Sequence, residues 1–476
     1  MTSPRRRRKP SLVGRWYVAY YLARQTTWIK LALAVAGLSF LLALLRPFYS
    51  MLPPWLLWTS ALVAIASVGF SVARSLRDFR AATLSPVTRS PREIEALLSQ
   101  VAFPEVLRNA GYELFTGGLT KNVFDGERFR GMSACSPGLN RQLYSLDQPT
   151  FKVSLPFPSR TFLGRCRAWR LPTLARTILP AAVARLHTQG RTLENADKIR
   201  LCEDLLPPLA LPRLTIERTD YVADVATGQV TGTRFVDLQG HDVYNGLDFA
   251  YDPRGDGWSL RLCRESACSN QLGTSCLVVA VSASGAIGSS SLDGAILVVQ
   301  QGKGNVQSHG LLAPSGSGSL DWSDFVQAGE SFVVSGMLRE LLEETWRGSW
   351  EALVSREGIS IVLTGYGRML HRGGKPEFYG LVVMPRRRFE RGIDPTERNF
   401  VRGFVEVLVP NLTATRMSEA LDEFVVKNEA ALSHPLYLSI RFAQQYLRVR
   451  PEHFTSLIRR AGTLGAGPKL QPPGPW

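Results

Sequence analysis

Two uncharged stretches near the start of the chain restrict its fold more than any other feature. From Leu31 to Leu45 every residue is apolar or small, with Lys30 and Arg46 as flanks, and Trp55 to Ala73 forms a 19-residue run without a charge. At about 1.5 Å of rise per residue, a helix of that second length covers roughly 28 Å, close to the hydrocarbon thickness of a bilayer. The first run reaches a spanning length only when Trp28, Ile29 and a snorkelling Lys30 join it. Pro47, Pro53 and Pro54 force a turn between the runs, so the pattern predicts a two-helix transmembrane hairpin. A secretory signal fits poorly, because no small-residue cleavage site precedes Arg46-Pro47.

The distribution of charge supports that topology. The 476 residues carry a net charge of +16, yet residues 1–92 hold 14 Lys and Arg against the single acid Asp78, leaving +3 for the remainder. Basic flanks stay on the cytoplasmic side. The expectation is therefore a multi-pass protein of the inner (cell) membrane, with both termini and the soluble part cytoplasmic and the lipid bilayer as a partner. Because the excess charge brackets the two spans, no nucleic acid is expected as a partner. The six cysteines (Cys135, Cys166, Cys202, Cys263, Cys268 and Cys276) show no CxxC pair and no His at zinc spacing, and so read as reduced packing thiols.

Texture along the chain divides it further. A basic tail (1–30) precedes the two transmembrane helices (31–73). A juxtamembrane and helical linker region (74–207) follows, with helices expected near 174–187 and 193–205. A β-rich lead-in (208–269) precedes a domain over 270–450, with strands at 275–282, 295–301, 359–363, 378–383 and 401–409 and helices at about 414–430 and 436–448. Residues 451–476 read as a mostly disordered tail. The fold class is α+β.

The most informative segment is Gly329 to Trp346, GESFVVSGMLRELLEETW. On a helical wheel Met337, Leu338, Leu341 and Leu342 share one side, and Glu340, Glu343 and Glu344 share the other at i, i+3 and i+4. Three carboxylates so close repel one another unless a cation intervenes. A hard divalent ion, Mg²⁺ or Mn²⁺, suits that oxygen-rich set, and Arg339 can pair with one carboxylate and orient it. The bland alternative is an amphipathic helix whose acids face water.

Arg339-Glu340-Leu341-Leu342-Glu343-Glu344 resembles the core of the Nudix hydrolase signature, G-x5-E-x7-R-E-U-x-E-E-x-G-U, where U is aliphatic. Gly329-Glu330-Ser331 is similar to the stretch that supplies the upstream Glu, and the resemblance covers roughly residues 270–410. It implies a Nudix-like α/β/α sandwich with a mixed sheet, metal on Glu340, Glu343 and Glu344, and catalysis by those residues with Arg339. The implied activity is hydrolysis of a nucleoside diphosphate-linked substrate with divalent metal. Departures from the signature fall in the loops. Glu330 lies eight residues before Arg339 rather than seven, the first glycine falls near Asp324, and Trp346 and Arg347 replace the late glycine and aliphatic residue.

Two further segments suit a nucleotide or nucleotide-derived ligand. Ser315 to Ser319, a Gly/Ser tract, could offer backbone N–H groups to an anion, with Trp322 stacking on a base. Arg368, Arg372 and Lys375, set between glycines, could grip phosphates, with Tyr366 or His371 against the base and Glu377 as an extra ligand or base. The order of parts also resembles the membrane-tethered Nudix-like proteins of bacterial cyclic-oligonucleotide (CBASS) antiphage systems. That resemblance implies the alternative function: a non-catalytic nucleotide-sensing effector in antiviral defence, a possible homo-oligomer, whose transmembrane hairpin acts on the membrane.

Overall fold

The structure is a computed structural model. It describes Thr59, Leu62, Ala66 and residues 84–146, 149–155, 169–188, 195–208, 213–255, 257–283, 291–302, 309–345, 358–386 and 401–465.

Its centre is a nine-stranded mixed sheet. In chain order the strands are β1 (Glu113–Lys121), β2 (Arg128–Cys135), β3 (Gly273–Ala283), β4 (Leu292–Gln301), β5 (Leu312–Ala313), β6 (Gly316–Ser319), β7 (Ser360–Met369), β8 (Lys375–Pro385) and β9 (Val401–Val409). They run β5-β4-β3-β8-β7-β2-β1, with β6 on β3 and β9 on β4. Only the β3–β8 pair is parallel; Gly273 aligns with Glu377 and Val281 with Pro385. β3 is buried from Gly273 to Val281 because helices cover both of its faces, which explains its near-continuous run of apolar and small residues.

Two-residue alternation sends each strand's side chains to two separate cores. Cys276, Val278 and Ala280 face a helix pair, α1 (Trp322–Ala328) and α2 (Phe332–Glu344), through Met337, Leu338 and Leu341. Leu277, Val279 and Val281 face α3 (Ala414–Asn428), α4 (His434–Val449) and α5 (Pro451–Gly465).

The sheet does not stay open. The Leu119 N–H donates to Leu432 O at 2.7 Å, and the Ser433 N–H donates to Leu312 O at 2.8 Å. Residues 432 and 433 therefore stitch β1 at one margin to β5 at the other, and α4 starts at once inside the resulting curl. Ser433 caps it, accepting from the Leu436 N–H. α4 is buried on several sides, through Leu436, Leu438, Ile440, Phe442 and Tyr446.

Several expectations are corrected. Among the described residues no helix is long and apolar enough to cross a membrane. That finding overturns the two-helix transmembrane hairpin and the multi-pass membrane location expected from the sequence. Helices α1 to α5 instead pack against the sheet. Of residues 31–73, all but Thr59, Leu62 and Ala66 lie outside the described residues. The sheet is mixed, but it curls around α4 instead of forming the middle layer of an α/β/α sandwich. Asp197–Leu201, expected within a helix, is a strand antiparallel to Arg213–Asp220, which buries Ile199 and Leu201. Pro451–Gly465, placed in the tail, is a helix with Phe454, Leu457 and Ile458 in the core. β1 and β2 belong to the same sheet as residues 273–409, so the main domain begins well before residue 270. The cysteines Cys135, Cys202, Cys263, Cys268 and Cys276 are free and buried; Cys166 lies outside the described residues.

Candidate functional site

β6 and α2 build the acidic site together. The Gly/Ser tract that reads as a loop is a strand, because its glycines let a helix lie directly on it. A Cβ on Gly316 would sit 2.8 Å from Leu341 N, and one on Gly318 would sit 2.2 Å from Glu340 Cδ. The Glu340 carboxylate thus rests flat on the Gly318 backbone. The tract's N–H groups are spent inside the protein: Ser315 donates to Cys276 O at 2.9 Å, and Ser317 to Glu344 Oε2 at 3.0 Å. They do not form an anion cradle.

Arg339 is the hub. Its Nε and Nη2 hold Asp324 in a two-point bridge at 3.0 and 3.1 Å, while Nη1 lies 2.9 Å from Glu343 Oε2 and 3.0 Å from Glu340 Oε1. Nη2 also donates to Ser319 O at 3.2 Å and lies 3.7 Å from Asp321 Oδ2. On the other side Lys198 pairs with Asp321 and donates to Ser319 O at 3.4 Å. Among the described residues, five carboxylates therefore gather about two cations, a formal excess of three negative charges.

Burial divides the glutamates. Glu340 and Glu344 are buried, and the Glu343 side chain is 37% exposed. Glu340 and Glu344 are covered by β6, whereas Glu343 still reaches water. Burial raises the Glu340 carboxyl above its ordinary value, opposed by Arg339 and Lys198. Burial alone would lower Arg339, but the surrounding carboxylates, Glu340 foremost, hold it above its usual value.

Sequence reasoning missed Asp321, Asp324 and Lys198. One local signal was present: Asp321-Trp-Ser-Asp324 has the spacing of a helix-capping pair, and the Asp321 N–H donates to Asp324 Oδ2 at 2.8 Å. Glu330, the upstream acid of the resemblance, is exposed in a short 3₁₀ turn, and Asp324 takes the place on Arg339. Trp322, at the start of α1, is half-buried with its ring 5.3 Å from that of Phe325. Trp346 and Arg347 lie outside the described residues.

The second basic group does not join this cluster. Arg368 is fully buried, bridging Asp204 at 2.7 Å and donating to the carbonyls of Arg261 and Gly374 at 2.9 Å each. Arg372 pairs with Asp224 at 2.6 Å and Lys375 with Glu377 at 2.9 Å. Burial lowers Lys375, and Glu377 opposes that shift. Tyr366 packs 5.2 Å from Phe378, and His371 stacks edge-on against His434 at 5.1 Å. The β7–β8 hairpin lies mid-sheet with both faces covered, so these three cations neutralise interior acids instead of presenting an open phosphate grip.

Among the described residues no group of three or more His, Cys, Asp or Glu side chains converges on a point that would hold a metal ion. Glu340 and Glu343 are turned to Arg339, and Glu344 to the Ser317 amide. No known protein-family model matches the chain, and no curated protein matches its sequence.

Proposed function

We propose that the β6–α2 cluster is the active site of a Nudix-like hydrolase acting on a nucleoside diphosphate-linked substrate with Mg²⁺ or Mn²⁺. The observation that carries this reading is the excess of buried carboxylate about Arg339, with Glu340 desolvated on the Gly318 backbone. An all-oxygen donor set of this charge suits a hard divalent cation. Glu340, Glu343 and Glu344 would hold it, and such an ion supplies charge neutralisation of a pyrophosphate and activation of water. The chain's own work is positioning. Arg339 orients Glu340 and Glu343, Asp324 braces Arg339, and the Ser317 amide fixes Glu344. Ion uptake requires Arg339 to yield at least one of its carboxylates, so occupancy and Arg339 pairing are coupled.

One observation favours a second reading. Each of the three glutamates already has a protein partner, so the cluster is satisfied without turnover. That suits a non-catalytic nucleotide-sensing effector of an antiphage signalling system. Calorimetry of the protein with Mg²⁺ or Mn²⁺, followed by a turnover assay on dinucleoside polyphosphates, nucleotide sugars and cyclic oligonucleotides, separates the two. Metal uptake weakened about tenfold or more in Glu340→Gln, together with metal-dependent turnover lost in the same variant, supports the hydrolase. Tight nucleotide binding without turnover supports the sensor. Absence of any metal uptake, with and without nucleotide, defeats the metal site.

A further inference from the structure

The two cations of the acidic cluster differ in what they have left to give. A guanidinium carries a fixed fork of N–H groups, and Arg339 commits its whole fork to the protein. Nε and Nη2 hold Asp324, Nη2 also donates to Ser319 O, and Nη1 faces Glu343 and Glu340. An ammonium carries three N–H groups. Lys198 directs one to Asp321 and one to Ser319 O, and it has no other partner among the described residues. Of the pair, Lys198 keeps a donor in reserve.

Its surroundings are built to hold that amine in place. Lys198 stands in the strand Asp197–Leu201, opposite Thr219 on one side and Asp321 on the other. Residues directly opposite in antiparallel pairs share a face, so Thr219, Lys198 and Asp321 form one row. The backbone beneath the row is fixed. The Ile199 N–H donates to Leu320 O at 3.1 Å, and the Leu272 N–H to Ile199 O at 2.9 Å. The Thr219 hydroxyl, beside Lys198, is buried and has no hydrogen-bond partner among the described residues, although buried polar groups are ordinarily satisfied. Solvent reaches the row at Lys198 and Asp321, whose side chains are 14% and 24% exposed.

A diphosphate entering beside five carboxylates needs a cationic contact of its own. A compact ammonium on a flexible stem suits a phosphate oxygen as a point charge. We propose that Lys198, flanked by the Thr219 hydroxyl and tethered by Asp321, is the residue that binds the substrate's diphosphate. The assignment rests on the hydrolase reading of the cluster and divides its labour: the glutamates of α2 take the metal ion, and Lys198 takes the anion. Two affinities should then move in opposite senses when Lys198 loses its charge. Removing a cation from the rim of a metal site favours the metal, whereas removing a donor from an anion site disfavours the phosphate.

The test is calorimetry of the full chain with Mg²⁺ alone, and then at saturating Mg²⁺ with methylenediphosphonate, a diphosphate core whose P–C–P bridge resists hydrolysis. The unmodified chain should bind the diphosphonate with Kd below about 1 mM. Lys198→Gln should weaken that binding about tenfold or more while taking up Mg²⁺ at least as tightly as before. Lys198→Arg, which keeps the charge, should lose less. Unaltered diphosphonate affinity in Lys198→Gln overturns the proposal, as does a parallel weakening of both ligands, the mark of a merely structural lysine. Mg²⁺ uptake without diphosphonate binding by the unmodified chain also overturns it and leaves the metal site standing. No Mg²⁺ uptake by the unmodified chain defeats the hydrolase reading, and the assignment of Lys198 with it.

Discussion

Glu340 and His434 show how burial sets the behaviour of single residues in this fold. Gly318→Ala would drive a methyl group into the Glu340 carboxylate, so the variant should lose about 1–3 kcal/mol of stability, read by urea denaturation, and should weaken metal uptake. His434 is neutral. Its Nδ1–H donates to Gly117 O at 2.6 Å and its Nε2 accepts from Ser133 Oγ at 2.7 Å. Burial lowers it to about 4 from an ordinary 6.5. The unfolded chain therefore binds the proton more tightly, and stability is lost as pH falls from about 6.5 through 4. The loss is roughly 3 kcal/mol, and His434→Gln should flatten it in denaturation curves taken across that range. At this scale the sequence was legible where partners are close in the chain. Arg339 and Glu343 lie one helical turn apart, so a pairing of Arg339 with one carboxylate of its own helix is legible, and the structure makes Glu343 one such partner. Arg368 was not legible, because the carboxylate that holds it belongs to Asp204, 164 positions away. A basic residue between glycines looks the same whether its partner is a phosphate or a distant aspartate.

Among the elements, β9 illustrates a segment whose pattern decides its structure. Its bounds, Val401–Val409, coincide with the expected run because a β-rich stretch there meets a ready partner in β4. β6 illustrates the reverse. Gly316 to Ser319 has no apolar side chain and low strand propensity, yet it is a strand because β3 offers one flank and α2 needs a surface without Cβ atoms. The backbone of Leu341 makes that contact, and its side chain, fully buried in the core, anchors α2 there. Leu341→Ala should cost about 2–5 kcal/mol by chemical denaturation. It should also speed hydrogen exchange at the Ser317 amide, which Glu344 otherwise holds. In Asp197–Leu201 charged and apolar residues alternate too briefly to separate the helical period from the strand period; pairing with Arg213–Asp220 decides it.

In the whole molecule, strands made early and late share one sheet. A fragment limited to residues 270–450 lacks β1 and β2, leaving one side of β7 and the inner face of α4 without cover. It should melt without a cooperative transition by circular dichroism, whereas a chain that includes residues 84–465 should unfold in one step. Long-range pairing of this kind also slows folding. The stitch at Leu432 and Ser433 has a consequence for synthesis. Ser133 and His434, which touch in the folded chain, are 301 positions apart. At ribosomal speeds of about 5–20 residues per second, the first waits on the order of tens of seconds for the second to emerge. During that interval the margins of the nascent sheet have no clasp and its hollow has no filling, so a newly made chain should engage holdase chaperones until the residues of α4 leave the exit tunnel.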